Sequence, residues 1–338
     1  MKPSAAALAL ALCLAGALAG GRADAASCDR ACLEGIADQY LKAMLAHDPS
    51  RAPIAKGARY AENNVVLPLP DGLWRTVSSI GAYRLIVTDT TWQTIGFYAK
   101  VQENGAPVLL ATFLKVQGGR ISEIDAQVAR LTDTTGSGTP TNLREDQLGD
   151  APRKQFLTSL PPAARRSRAE LAAIANSYYT GLENNHGDKL PPFADDCLRL
   201  ENGTQTSGRP VPAGGQPNGM NYSCREAFGL GYYRDDTRLR NRRILAIDEQ
   251  RGLVYATVFF DHDATVRQYK LKDGRDVAVK NTGPWTWSTQ ELFQVDADGK
   301  ISQVEAVLMA VPYGQRPAFK TGQHFPSPQA DRDGFKEY

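Results

Sequence analysis

A histidine between two carboxylates directly follows a strongly apolar run in the second half of the chain. The segment reads Phe259-Phe260-Asp261-His262-Asp263. A carboxylate beside an imidazole orients the ring and favours its protonated form, so such a histidine can take a proton from carbon or oxygen near neutral pH. We therefore predict that His262 is a catalytic base. The alternative is a strand end that enters a solvated loop.

A Glu-Asn pair is a second candidate because it occurs twice, as Glu62-Asn63 and as Glu201-Asn202. A carboxylate at the edge of a pocket can act as a base, while an amide beside it can orient a substrate oxygen. We predict that Glu201 and Asn202 are catalytic together with His262. The alternative is structural: the glutamate pairs with an arginine and the asparagine takes the turn.

Aromatic and charged side chains near these candidates are predicted to bind the substrate. Trp285 and Trp287 alternate along one apolar run and should share a face of a strand. The predicted substrate-binding residues are Tyr222, Arg225, Tyr232, Trp285, Trp287 and Glu291 in the second half, and Trp74 and Arg75 in the first. Core packing is the alternative for the aromatic residues, and a surface pair with Asp71 is the alternative for Arg75.

Several other chemistries lack their sequence motifs. The chain has no GxSxG, no GxxxxGK[ST] and no HExxH. With 39 Lys and Arg against 37 Asp and Glu, the formal net charge is +2, and no stretch is basic enough to form a strong phosphate-binding face. We expect no nucleic-acid partner, no metal site and no cofactor, so the remaining chemistry needs only positioned acids and bases.

The first 26 residues are interpreted as a secretory signal peptide. Lys2 gives a positive start, residues 5–19 form an apolar run, and Ala23-Asp24-Ala25 offers small residues for cleavage. The run is shorter than the roughly 20 residues that span a bilayer. Cys13 does not follow the small residue expected at a lipoprotein cleavage site. We expect a periplasmic or secreted protein without a membrane anchor.

Four cysteines remain after this leader, and an even number in an oxidising compartment predicts two disulfides. We favour Cys28 with Cys32, one helical turn apart, and Cys197 with Cys224, which closes a Gly-rich loop. A zinc site is the alternative. A CxxxC spacing with distant partners and no nearby histidine matches the usual zinc ligands poorly.

The chain contains an internal repeat. One set of residues recurs 139 positions later and a second set 180 positions later. The first set is Tyr40, His47, Pro53, Ala55, Glu62 and Asn63, which recur as Tyr179, His186, Pro192, Ala194, Glu201 and Asn202. The second set is Gly119, Ile121, Ser122, Ile124 and Ala126, matched by Gly299, Ile301, Ser302, Val304 and Ala306. The second copy therefore carries about 41 inserted residues, which we place in the loops 203–223 and 266–284 and expect to bind or cover a ligand.

Each copy begins with an amphipathic helix and continues with β-rich runs. Apolar residues at three- and four-residue spacing predict helices within 33–45 and 171–182. The predicted strands are 94–101, 108–116 and 121–131, then 254–260, 285–295 and 301–311. A helix followed by an antiparallel meander is an α+β plan. The predicted domains are 27–131 and 166–313, with a signal peptide at 1–26, a linker at 132–165 and a C-terminal tail at 314–338.

At this level the sequence resembles the nuclear transport factor 2-like, or SnoaL-like, superfamily twice, over residues 28–130 and 166–312. The resemblance lies in the opening helix, the Pro-containing connection that ends in Glu-Asn, and the closing hairpin that ends Gly-Arg/Lys-Ile-Ser. In the first copy, segments 71–75 and 118–124 are also similar to a secreted bacterial and fungal domain family of unknown function. The resemblance implies two tandem cone-shaped domains, each a curved antiparallel sheet packed on N-terminal helices, with acid–base chemistry that needs no metal or organic cofactor.

We expect a periplasmic or secreted enzyme of lyase, dehydratase or isomerase type that acts on a small aromatic or otherwise apolar molecule. The alternative is a non-catalytic module that binds a ligand or another protein. The second copy is the expected site because it holds both insertions, His262 and the paired tryptophans. A monomer or a homodimer is expected, and a homodimer would use the outer face of a sheet unless the tandem pair already covers it.

Overall fold

The computed structural model describes residues 27–134, 143–281 and 283–337. The predicted signal peptide at 1–26 lies outside the described residues. Within them, no helix combines the length and the apolar character needed to cross a bilayer.

The first domain is a six-stranded sheet backed by one long helix. Its elements are α1 (Arg30–Leu45), β1 (Ile54–Glu62), β2 (Val65–Val66), α2 (Leu73–Thr76), β3 (Val77–Asp89), β4 (Thr94–Glu103), β5 (Ala106–Gln117) and β6 (Arg120–Arg130). The strand order is β2-β1-β6-β5-β4-β3. Asp29 caps α1 by accepting a hydrogen bond from Cys32 N, and the predicted apolar stripe of this helix faces the sheet, except for Leu45, which is exposed.

The second domain repeats this topology and adds to it. Its elements, preceded by α3 (Lys154–Leu157), are α4 (Arg168–Leu182), β7 (Phe193–Glu201), β8 (Thr204–Gln205), α5 (Cys224–Leu230), β9 (Arg238–Asp248), β10 (Leu253–His262), β11 (Gln268–Lys270), β12 (Asp276–Ala278), β13 (Trp285–Val295), β14 (Ile301–Val311), β15 (Gln323–Phe325) and α6 (Pro328–Arg332). The large sheet has the order β15-β9-β10-β13-β14-β7-β8. The hairpin β11–β12 lies in the predicted insertion 266–284, and the short helix α5 directly follows the predicted insertion 203–223.

The sheets are mixed rather than purely antiparallel, which corrects the expectation from the sequence. β1 runs parallel to β6, and β7 runs parallel to β14. No hairpin joins the members of either pair, so hairpin geometry does not impose an antiparallel direction on them. Register shifts within β3, β9 and β10 interrupt the regular pairing, and such bulges bend a sheet.

The faces of the two large sheets that point away from helices α1 and α4 pack against each other. This interface has a core of aromatic and aliphatic side chains that includes Tyr98, Phe113, Tyr255 and Leu292. The Tyr98 hydroxyl lies 2.7 Å from the carbonyl of Gln290, across the interface. The sheet face that a homodimer was expected to use is therefore covered within one chain.

Two ion pairs join the domains in equivalent ways. Arg30, at the start of α1, binds Asp248 at the end of β9 with contacts of 2.8 and 2.7 Å. Arg168, at the start of α4, binds Asp89 at the end of β3 with contacts of 3.0 and 2.7 Å. Because α4 is the repeat of α1 and β9 is the repeat of β3, the domains are related by an approximate twofold axis.

Gly96 and Tyr255 meet close to this axis. Each is the third residue of its strand, Gly96 in β4 and Tyr255 in the equivalent strand β10. A Cβ atom on Gly96 would lie 2.3 Å from the Tyr255 ring. The absence of a side chain at Gly96 therefore makes room for the tyrosine of the other domain.

The segments predicted to be a linker and a tail contribute to the folded core. Phe156 of α3 and Leu143 are buried in the interface between the domains. In the C-terminal segment, β15 pairs with β9 and protects that edge of the sheet, and Phe319 is buried.

Both predicted disulfides, Cys28–Cys32 and Cys197–Cys224, are present. The second joins β7 to α5, and it therefore fixes the inserted loop to the sheet of the second domain.

Candidate functional site

The side of β13 that faces α4 carries larger polar and aromatic side chains than the equivalent strand of the first domain. In β13, Trp287 and Glu291 share a face with Phe293, which packs against α4 in the core of the second domain. In the equivalent strand β5, Val108 and Leu114 contribute to a core of mostly aliphatic residues. Glu291 pairs with Ala306 as Thr112 of β5 pairs with Ala126, so the second domain has a carboxyl group where the first has a hydroxyl.

His262, the last residue of β10, is buried, with 5% of its surface exposed. Its Nε2 atom lies 2.9 Å from Asp236 Oδ1, and its ring stacks on Trp285 with centroids 4.2 Å apart. Among the described residues, Nδ1 has no hydrogen-bond partner. An acceptor at Nε2 favours the neutral tautomer that carries its proton there, which leaves Nδ1 as the basic atom.

The surroundings of His262 favour its protonation. Burial lowers the pKa of the ring, but the hydrogen bond and charge of Asp236 outweigh burial, with smaller effects from Asp235 and the Phe260 carbonyl. The pKa of His262 is therefore raised above its usual value. A proton taken up at Nδ1 would give an imidazolium that its neighbours stabilise.

The carboxylates adjacent to His262 in the sequence do not orient its ring. Asp263 accepts hydrogen bonds from Thr265, and Asp261 binds arginine side chains on the opposite face of β10. Asp236, which does orient the ring, lies just before β9 and was missed by the sequence analysis. In the sequence, only its place in the acidic pair Asp235-Asp236 distinguishes this residue.

Glu201 belongs to a second polar group in the same domain. Its Oε1 atom lies 2.7 Å from Arg199 Nη2 and 3.2 Å from Thr206 Oγ1. Arg199 is buried, and its Nη1 atom donates to the Tyr233 hydroxyl at 2.9 Å. Arg199 was not predicted, because an arginine in the middle of a strand usually reads as a surface residue.

Glu291 is a buried carboxyl group whose Oε2 atom has no hydrogen-bond partner within the described part of the chain. Burial raises its pKa to about 8, and the charges of Glu201 and Asp236 act in the same direction. Tyr179 and Arg199 partly offset these effects. At neutral pH the group is therefore mostly protonated and can donate a hydrogen bond.

Replacing Glu291 by glutamine is expected to remove part of the pH dependence of stability. The folded pKa of about 8 lies above the ordinary value of 4.5, so the folded state holds more protons between these values. The free energy of unfolding of the native protein should therefore fall as pH rises through this window. The variant should match the native protein at about pH 5 and exceed it at about pH 8.5 in urea unfolding. Glu249→Gln changes a partly exposed side chain, and its free energy of unfolding should depend on pH as that of the native protein does. If Glu291→Gln shows the same pH dependence as the native protein, the prediction is wrong.

Asn202 forms part of a turn rather than of a pocket wall. Its Nδ2 donates to the Leu308 carbonyl at 2.9 Å, and its Oδ1 accepts from Leu308 N at 3.0 Å. Asn63 makes the same two contacts with Val128 in the first domain. Both residues have positive φ, at 48° and 51°, which asparagine tolerates well. The shared turn explains the recurrence of asparagine, and both polar atoms of the Asn202 side chain make hydrogen bonds within that turn.

The other predicted substrate-binding residues are dispersed. Arg225 donates to the Phe193 carbonyl and is largely exposed. Tyr222 and Tyr232 contact each other in a small cluster with the β11–β12 insertion.

In the first domain, Trp74 is a core residue whose Nε1 donates to the Tyr40 hydroxyl at 3.2 Å. Arg75 is 67% exposed and pairs with Asp71 at 3.2 Å. The two residues therefore form a surface ion pair, the alternative to a substrate-binding role.

The structure thus brings some of the predicted residues together and separates others. His262, Trp285 and Trp287 form one contact group, with the two tryptophan rings 4.6 Å apart. Glu201 lies in the other group, and no contact joins its carboxylate to His262 among the described residues. Within those residues, no cluster of three or more His, Cys, Asp or Glu side chains could hold a metal ion.

Comparison with known proteins gives one family. Residues 26–128 and 164–308 match the family described as "Domain of unknown function (DUF8021)". No curated protein matches the chain. Among solved structures, the crystal structure of a de novo designed protein with a curved β-sheet is similar at 14% identity. That match covers 30% of this chain and 88% of the designed chain, with a TM-score of 0.24.

Proposed function

We propose, from the premise that this chain belongs to the DUF8021 family of domains of unknown function, that its second domain is an enzyme that transfers protons. The reaction would be an elimination, dehydration or isomerisation of a small aromatic or apolar molecule, without an organic cofactor. The observation that carries the proposal is the His262–Asp236 pair, in which one ring nitrogen is held and the other has no partner among the described residues.

Each residue has a role in this proposal. His262 takes the proton at Nδ1, and Asp236 holds the ring and stabilises its charged form. Trp285 and Trp287 provide apolar surface for a flat substrate. Protonated Glu291 offers a hydrogen bond to a substrate oxygen.

The proposal also includes the architecture of each domain and the location of the protein. We propose that each domain is a nuclear transport factor 2-like cup, supported by a long helix packed on a bent mixed sheet in both copies. We also propose a periplasmic or secreted location, supported by the two disulfides, which persist in oxidising compartments.

The test begins with purified mature protein incubated with small-molecule extracts, in which mass spectrometry identifies any compound that is consumed. For that compound, His262→Gln is expected to lower kcat about 10²- to 10⁴-fold. In the native enzyme, kcat/KM should fall as pH drops through the raised pKa of His262, because the base must be neutral. His324→Gln changes a half-exposed histidine and is the matched control. Unchanged turnover in His262→Gln would rule out this mechanism.

A binding module without turnover is the second candidate. Among the described residues Glu201 is paired with Arg199 and makes no contact with His262, which favours this candidate, because a catalytic pair of these two residues would need to meet at one substrate atom. In that case the extract should contain a compound that is retained by the protein on gel filtration and released unchanged.

A further inference from the structure

Asp261 lies directly behind the His262–Trp285 stack. In the pairing of β10 with β13, His262 is opposite Trp285, and Asp261 is opposite Thr286. Because neighbouring residues in a strand point to opposite faces, the Asp261 carboxylate is on the other side of the sheet from the imidazole. Asp261 is completely buried.

This carboxylate ties three strands together at one point. Its Oδ1 atom accepts from Thr286 Oγ1 of β13 at 2.7 Å. Its Oδ2 atom accepts from Arg238 Nε and Nη2 at 2.9 and 2.8 Å, and from Arg240 Nε at 2.8 Å, both from β9. The backbone positions of His262 and Trp285 are therefore held by a network of charged hydrogen bonds one residue away.

The C-terminal segment extends this network. Asp333 binds Arg238 Nη1 at 3.0 Å, and the Gln315 carbonyl accepts from Arg240 Nη1 at 2.7 Å. The Phe335 ring covers both guanidinium groups, at 4.2 and 5.0 Å from its centroid. The amide of Gly314 also donates to Thr286 Oγ1 at 3.2 Å.

We infer that Asp261 is a positioning residue for His262: with Arg238, Arg240 and Thr286, and with the C-terminal segment packed over them, it fixes the strand ends that carry His262 and Trp285. Buried charges are costly and need complete pairing. A network of this kind behind His262 restricts the position of its ring. Catalytic groups need such restriction, because they must be held close to the productive geometry. This inference extends the proposed function, and only its kinetic test depends on that function.

The test compares Asp261→Asn with Asp248→Asn. Asp248 is the matched control because it is also a buried aspartate bound by two arginines, Arg30 and Arg251, and lies at the far end of β9. Both variants should lose stability. The chain has four histidines, so NMR can follow each imidazole, with His262→Gln used for assignment. Thr286→Val, a milder change, serves if Asp261→Asn does not fold.

In Asp261→Asn or Thr286→Val, the Nε2 proton of His262 should broaden or disappear, and the pKa of His262 should fall toward its usual value. In Asp248→Asn both should stay as in the native protein. If a substrate is known, kcat should fall about 10- to 100-fold in Asp261→Asn, with KM little changed. Native His262 signals in both test variants, or the same change in Asp248→Asn, would overturn the inference. Changed His262 signals in the test variants, together with no turnover of any compound by the native protein, would refute the proposed function and leave the positioning role intact.

Discussion

Replacement of Asp89 by alanine is expected to lower the free energy of unfolding by about 3–5 kcal/mol, because it removes the closest carboxylate from a largely buried arginine. The Asp89 side chain is fully buried and Arg168 is 21% exposed. The Asp89 Oδ2 atom also accepts from Ile247 N at 2.9 Å. The Oδ1 atom of the same residue accepts from Thr91 N and Trp92 N at 3.0 and 2.9 Å. The variant loses one end of the ion pair and strands these amide donors.

Chemical denaturation followed by tryptophan fluorescence measures this loss. Asp71→Ala is the control, because Asp71 pairs with Arg75 on the surface, where the two side chains are 42% and 67% exposed. That exposed pair should contribute about 0–1 kcal/mol. If the two variants lose stability equally, the buried pair between the domains contributes no more to the free energy of unfolding than the exposed pair does.

Replacement of Gly96 by alanine is expected to destabilise the protein by about 1–3 kcal/mol or more, because the new methyl group overlaps a buried ring. Its Cβ atom would lie 2.3 Å from Tyr255 Cγ. The ring has little room to move, since its hydroxyl donates to Gln290 Oε1 at 2.5 Å and it packs edge-on against Tyr98.

A double-mutant cycle isolates this overlap. Tyr255→Ala alone should be destabilising, but adding Gly96→Ala to it should cost little, because the ring is no longer present. Gly35→Ala, in α1 with no atom within 4 Å of a new Cβ, should be neutral or slightly stabilising. An equal cost of Gly96→Ala with and without the Tyr255 ring would show that the overlap is not the cause.

Local patterns were sufficient to predict the two long helices, the central hairpins and the disulfides. β13 and β14 have the predicted bounds, because their apolar runs end at clear turns. In the first domain, Asn104 and Gly105 both have positive φ, as a tight hairpin requires. Each of these features depends on residues close together in the sequence.

Features that depend on distant residues were missed. The segment Arg238 to Arg243 reads as a polar loop, yet its four arginines are buried in β9. Several of their partners come from the C-terminal segment, about 75 to 95 residues later in the chain. Asp236 reaches His262 only through the pairing of β9 with β10. A single sequence contains no signal for such pairs.

Gly96 and Tyr255 occupy equivalent positions in the two domains, yet they differ greatly in size at a close contact. Two copies of the first domain would leave a hole where glycine faces glycine, and two copies of the second would force tyrosine against tyrosine. The two domains therefore have complementary rather than identical surfaces at this point. Neither domain, produced separately, is expected to form a homodimer that keeps the packing of this interface.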